Sequence, residues 1–192
     1  MYRGPTLFWG LVVTLLAASL FFGVGAERQR RQAQPKEVAL ATGELVQLTQ
    51  VVDGDTLLVT TAGGQTVTIR LLGVKAFSTK PDKDPASPFG KAAIVELERI
   101  LRDRPIRVML HSTPKDRYGR ILAALFVADQ DVSLNQIRQG LGLVYSAYPF
   151  ASMSLYLHEQ ELARSESKGL WAVPEVAGRA DQLIRQWSRE TQ

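Results

Sequence analysis

The chain reads as α+β, mainly β: a five-stranded barrel of the OB type with about three packed helices, an apolar helix ahead of it and a tail helix behind. Three observations lead there. Runs rich in β-branched residues, divided by Gly- and Asp-containing turns, fill residues 44–72 and return at 106–127. One helical pattern interrupts them, and helical spacing takes over after residue 132. At 192 residues, with 45% hydrophobic and 22% charged content, the chain suits one ordinary domain with an appendage and is not wholly disordered.

Leu7–Ala26 comes first, twenty residues without a charge. As a helix it spans about 30 Å, the hydrocarbon thickness of a bilayer. Val24-Gly25-Ala26 offers small residues for signal-peptide cleavage. The length of the run and Trp9 near one end favour a single-pass membrane anchor instead. Arg28, Arg30 and Arg31 follow the span and favour a cytoplasmic domain; the sequence leaves the side open. Residues 1–26 are thus expected as transmembrane anchor or signal segment, 27–43 as a basic, solvated linker, 44–172 as the barrel domain and 173–192 as an amphipathic tail helix.

Within the barrel, Leu45–Leu48 with Val51-Val52, Thr56–Thr60 and Thr66–Leu72 are three strands, the last two a hairpin around Gly63-Gly64. Pro81, Pro85 and Pro88 make Ser78–Pro88 a loop. Phe89–Arg102 follows as a helix with Ile94, Leu97, Ile100 and Leu101 inward and Glu96, Glu98 and Arg99 outward. Ile106–Leu110 and Ile121–Val127 complete the five strands. A short helix spans Ser133–Gln139, with Ser133 as its cap and Gly140 ending it. A longer one covers Ser152–Lys168, closed by Gly169. Val176, Ala180, Leu183 and Trp187 share one face of the tail helix, which suits docking on the domain.

Composition removes several chemistries. Without Cys there are no disulfides, thiolate nucleophiles or Cys-ligated metals, and two His exclude a multi-histidine centre. The net charge of +4 sits on residues 1–36, where five basic residues face Glu27 alone; the rest, 18 basic and 18 acidic, is neutral. A basic surface on the domain must therefore be local.

Three clusters carry candidate chemistry: Asp53-Gly54-Asp55-Thr56, Arg70, and Asp116-Arg117-Tyr118-Gly119-Arg120. Two close carboxylates suit a hard cation, and arginines from two strands can grip one phosphate. The other reading is a turn capped by its own Asp side chains, with ordinary salt bridges. Tyr118, Tyr145 and Tyr148 are candidates for stacking on bases. His111 and His158 read as packing or hydrogen-bonding residues.

In order, the motifs DGDT at 53–56, RLLGV at 70–74, GKAA at 90–93, DRYGR at 116–120, NQIRQGL at 135–141 and HEQELARSE at 158–166 with GLW at 169–171 resemble the thermonuclease, or staphylococcal-nuclease-like, family over about residues 44–172. The resemblance implies an OB-fold hydrolase of DNA and RNA phosphodiesters that uses one Ca²⁺, and it favours an exported domain. Its third-strand motif is typically R-L-x-G-[IV]-D-x-P-E, in which Asp is a second metal ligand and Glu the general base. On that pattern Asp55, with Asp53 beside it, is the metal candidate, and Arg70 and Arg120 are the catalytic, phosphate-binding arginines. Arg117 and, as stacking candidates of OB-type binders, Tyr118 and Tyr148 are the expected nucleic-acid contacts.

The chain departs from that pattern at Lys75 and Ser78, which stand in the ligand and base positions. At about 4 Å an ammonium attracts a carboxylate by about 4 kcal/mol at an effective dielectric near 20, and it repels a divalent cation. Loss of general-base assistance alone costs about 10²–10⁴-fold. No cofactor is therefore expected, Ca²⁺ only if the site is active. Asp82 and Asp84 are the conceivable replacement ligands. Three functions stay open: a membrane-tethered module with a weak nucleic-acid groove and no Ca²⁺-dependent hydrolysis, an active membrane-anchored phosphodiesterase with altered ligands, or a structural or protein-interaction module with an unknown protein partner.

Overall fold

The computed structural model describes residues 40–190. Leu7–Ala26 and most of the basic linker fall outside the described residues. Among the described residues no helix is long and apolar enough to cross a membrane.

The strands are β1 (Leu45–Asp53), β2 (Thr56–Thr61), β3 (Thr66–Leu71), β4 (Val74–Lys75), β5 (Ile106–Lys115), β6 (Ile121–Val127), β7 (Gln130–Asp131) and β8 (Leu143–Val144). The helices are α1 (Ser87–Leu101), α2 (Val132–Arg138), α3 (Met153–Ser165) and α4 (Pro174–Glu190), with a 3₁₀ turn at Gly169–Ala172 before α4. The sheet runs β3-β2-β1-β5-β6-β7, and a parallel pairing of β3 with β6 closes it into a barrel. Closure follows from the period-2 pattern: Leu57 and Val59, Ile69 and Leu71, Val108, and Ala123 and Leu125 alternate inward with 0–1% exposure. Each of the Val, Leu and Ile side chains among them contributes roughly 1.5–3 kcal/mol by leaving water.

All five expected strands form, and β4 pairs with β8 as a separate two-stranded ladder that the sequence pattern did not announce. Residues 40–43, expected in the solvated linker, belong to the domain. Leu40 is buried, the Gly43 N–H donates to the Val108 carbonyl at 2.7 Å, and the Leu110 N–H donates to the Thr42 hydroxyl at 3.2 Å.

Three helix boundaries differ from expectation, each for a local reason. α1 begins at Ser87 rather than Phe89, because Pro88 suits a first turn, where its missing N–H costs nothing. Its buried face is Gly90, Ala93, Leu97 and Leu101; Ile94 and Ile100 are half-buried, and Glu96, expected outward, is buried. α2 is capped by Asp131, whose carboxylate accepts the Leu134 N–H at 3.1 Å, and not by Ser133, which is buried. α3 stops at Ser165, not Lys168. Gly169 then lies so close to Gly140 that a Cβ on it would stand 2.3 Å from the Gly140 carbonyl oxygen, so this crossing requires glycine.

α4 docks as its spacing suggested. Val176, Ala180 and Trp187 join Phe77, Leu143 and Trp171 in one apolar cluster. Its Arg179 makes two bonds to Asp84, at 2.6 and 2.8 Å, and its Asp181 meets Arg164 at 2.8 Å.

Candidate functional site

The site starts at the β1–β2 turn. Asp53 Oδ1 accepts the Asp55 N–H at 2.9 Å, so this turn is capped by its own side chain. Gly54 is required beneath it: a Cβ there would lie 2.5 Å from Ala76 Cβ and 2.9 Å from Ala93 Cβ. That contact seats the turn against β4 and α1 and leaves Asp55 only 1% exposed.

Both carboxylate oxygens of Asp55 are engaged. Oδ2 accepts from Lys75 Nζ at 2.9 Å and from the Ala76 N–H at 3.1 Å, and lies 3.2 Å from an Arg70 nitrogen. Oδ1 accepts from the Thr56 hydroxyl at 3.1 Å. Burial alone would raise this carboxyl, but Arg70 and then Lys75 more than offset it and hold it below the usual range. Asp53 goes the other way, raised by burial and by the neighbouring Asp55 charge.

Arg70, almost fully buried, faces inward with both terminal nitrogens. It donates to the carbonyls of Asp55, Leu71 and Val74 at 3.1, 2.9 and 2.7 Å, which ties β3 to the turn and to β4. Arg120 is more open. Two of its nitrogens lie 2.7 Å from Asp116 Oδ2, and a third donates to the Thr56 hydroxyl at 3.0 Å. Thr56 therefore links Asp55 to Arg120. Asp116 also accepts the N–H groups of Tyr118 and Arg120, at 2.9 and 3.0 Å, and these bonds hold its carboxyl low against the effect of burial. Arg117 and Arg120 both flank the Tyr118 ring, at 4.9 and 5.3 Å.

Over this layer lies a cleft of about 220 Å³. Arg70, Lys75, Arg117, Tyr118, Arg120 and Tyr148 all line it, with Tyr145. Asp55 sits beneath it. Asp53 does not line it, and neither does Ser78, whose hydroxyl accepts the Lys80 N–H at 3.1 Å on an exposed loop. Asp82 pairs with Lys91 at 2.8 Å and Asp84 with Arg179, so neither carboxylate turns toward Asp55. His158 is exposed on α3, and His111 bonds the Pro149 carbonyl region away from the cleft. Trp187 of α4 also lines the cleft, a place no motif in the sequence marks. Its spacing foretold burial only.

Four cations, Arg70, Lys75, Arg117 and Arg120, face two carboxylates, Asp55 and Asp116, so the cleft is locally positive although residues 37–192 together carry no net charge. A divalent cation does not fit these residues. Asp55 already has an ammonium at hydrogen-bond distance, Asp116 is held by Arg120, and among the described residues no group of three His, Asp or Glu converges. Lys75 keeps 45% of its side chain exposed, so its charge is presented to the cleft as well as to Asp55.

Known proteins match this chain in the same region. The sequence profile described as Staphylococcal nuclease homologue matches residues 68–173. An uncharacterized endonuclease of Haemophilus influenzae is 32% identical over 123 residues, 64% of each chain. A thermonuclease of Staphylococcus intermedius is 31% identical over 128 residues, 67% of this chain and 75% of that one. A probable endonuclease of Verticillium alfalfae is 30% identical over 118 residues, 57% of this chain and 40% of that one. The chain thus spans less than two thirds of the length of the Haemophilus and Verticillium proteins. The profile takes in β3 from Thr68 onward, the Asp116–Arg120 turn, β6 and α2 through the 3₁₀ turn, more than half of the sequence, and the chain belongs to the staphylococcal nuclease homologue family.

Proposed function

We propose that this chain is a membrane-tethered binder of nucleic-acid phosphate that works without metal and has lost Ca²⁺-dependent hydrolysis. The observation that carries the reading is the 2.9 Å contact between Lys75 Nζ and Asp55. An ammonium there supplies fixed positive charge where the family pattern would recruit a cation, and it is a donor, unable to coordinate one. Ser78, turned to its own loop, offers no base. Lys75, Arg117 and Arg120, with Arg70 behind them, would hold the phosphate by charge-assisted hydrogen bonds. Tyr118 and Tyr148 border the same cleft. The names of the relatives, endonuclease and thermonuclease, support a nucleic acid as ligand. The uncharged Leu7–Ala26 run supports the tether.

The test uses the full-length chain in mild detergent with single-stranded DNA and RNA, in Ca²⁺, Mg²⁺, Mn²⁺ or EDTA. Expected is no cleavage in any of them, with EDTA-insensitive binding that weakens in Arg120→Ala. Three or four phosphate contacts give a slope of roughly −2 to −3 in log affinity against log salt. Cleavage that disappears in Asp55→Ala would instead establish an active phosphodiesterase with altered ligands. No binding at low salt would leave a structural or protein-interaction role. Protease protection on intact membranes assigns the side on which the domain lies.

A further inference from the structure

α4 lies beyond the stretch that the family profile matches, yet it walls the phosphate cleft. Its Trp187 stands edge-on to Tyr145, with ring centres 5.0 Å apart at 90°. Tyr145 in turn meets Tyr148 at 6.1 Å, and its ring lies 5.8 Å from the Arg70 guanidinium carbon. The three rings make an aromatic corner next to the cations. The helix that delivers Trp187 is pinned along its length, by Val176 and Ala180 in the apolar cluster and by Arg179 on Asp84. The corner is therefore a fixed surface, and one of its walls comes from outside the family core.

We propose that α4 adds a wall to the cleft's aromatic corner: Trp187, supplied from outside the family core, fixes Tyr145 beside Tyr148 and so sets how tightly a base ring is held there while its phosphate lies on Lys75, Arg117 and Arg120. This rests on the phosphate-binding reading given above. The cleft's size suits it. About 220 Å³ is less than the roughly 300–1,000 Å³ of pockets that enclose drug-sized ligands, a scale that suits one ring at a time. Aromatic faces accept any base, so Trp187 tunes affinity for a base without setting a sequence preference. Trp187 is only 9% exposed, so it acts mainly by the pose it imposes on Tyr145 and less by the small part of its ring that lines the cleft.

The experiment titrates the full-length chain, in EDTA, with three fluorescent probes: a single-stranded oligothymidylate, the same strand with abasic units, and the oligothymidylate paired to its complement. The wild type is expected to bind the first most tightly. Trp187→Ala should weaken that binding roughly 5- to 150-fold while leaving the abasic strand nearly unchanged, and Trp187→Phe should restore most of it. Where Trp187→Ala does not fold, Trp187→Leu keeps the bulk without the ring and gives the same comparison. Equal wild-type affinity for base-containing and abasic strands overturns the base wall alone. So does an equal loss on both strands in the variant, which would make Trp187 a brace only. Failure to bind any probe at low salt overturns the phosphate reading with it.

Discussion

Replacing Lys75 by Met removes the ammonium from Asp55 while keeping most of the side chain's apolar bulk. At 2.9 Å the gross attraction is about 6 kcal/mol at an effective dielectric of 20 and about 1.4 kcal/mol in bulk water. Lys75 is nearly half exposed, so solvent screens much of the larger figure. Asp55 also keeps Arg70, the Ala76 N–H and the Thr56 hydroxyl, so the loss stays below the roughly 3–5 kcal/mol typical of a buried charge stripped of its partner. The expected cost is about 2 kcal/mol at pH 7, or roughly 4–8 °C in Tm for a domain of this size. The pH dependence has a definite sign. Asp55 is held below its unfolded value of 3.8, so its stabilising contribution is complete above that pH and is lost as pH falls through the lower folded value. Wild type and Lys75→Met should therefore differ most near neutrality and converge under acid. Urea melts of the two full-length chains at several pH values, in EDTA, read this directly. Identical midpoints at pH 7, or a gap that widens toward acid, would refute the ion pair as the element holding the turn.

Two further perturbations test the scaffold. Glu96 accepts from Arg99, Asn135 and Gln139, which pull its carboxyl down to about 2 from 4.5, so its contribution is present above 4.5 and fades as pH falls toward 2. Glu96→Gln should cost on the order of 1–2 kcal/mol at pH 7, discounted for the exposed Arg99, and progressively less as pH falls from 4.5 toward 2, measured by denaturant melts. Gly54→Ala forces a methyl into Ala76 and Ala93 and should cost roughly 1–3 kcal/mol, with partial rescue by Ala76→Gly; additive effects in that double-mutant cycle would contradict the contact.

The barrel was legible because its signal is short-range: period-2 burial in β2, β3 and β6 is written in consecutive residues. Helix starts were less so. Whether Asp131 or Ser133 caps α2, and whether Pro88 ends a loop or opens α1, depends on which backbone N–H the fold turns toward each side chain. Glu96 shows a stronger limit, since helical spacing put it outward and partners 39 and 43 residues away draw it in. At the site, the substitution at position 75 was readable as a charge reversal. That Lys75 reaches Asp55 depends on Gly54 packing under Ala76, a contact between chain segments that no local pattern encodes. Arg70 was read as a phosphate ligand from its motif, whereas its hydrogen bonds to three backbone carbonyls follow only from the β3–β4 bend. Trp187 was readable as buried, and its place beside Tyr145 was not.

Isothermal titration of Ca²⁺ into the full-length chain bears most directly on the ammonium at Asp55, with a Lys75→Asp/Ser78→Glu double variant alongside. Expected is no binding heat in the wild type up to millimolar Ca²⁺, and saturable heat in the double variant, where two carboxylates replace an ammonium and a hydroxyl. Saturable binding to the wild type that vanishes in Asp55→Ala would mean that the lysine yields its place to the cation.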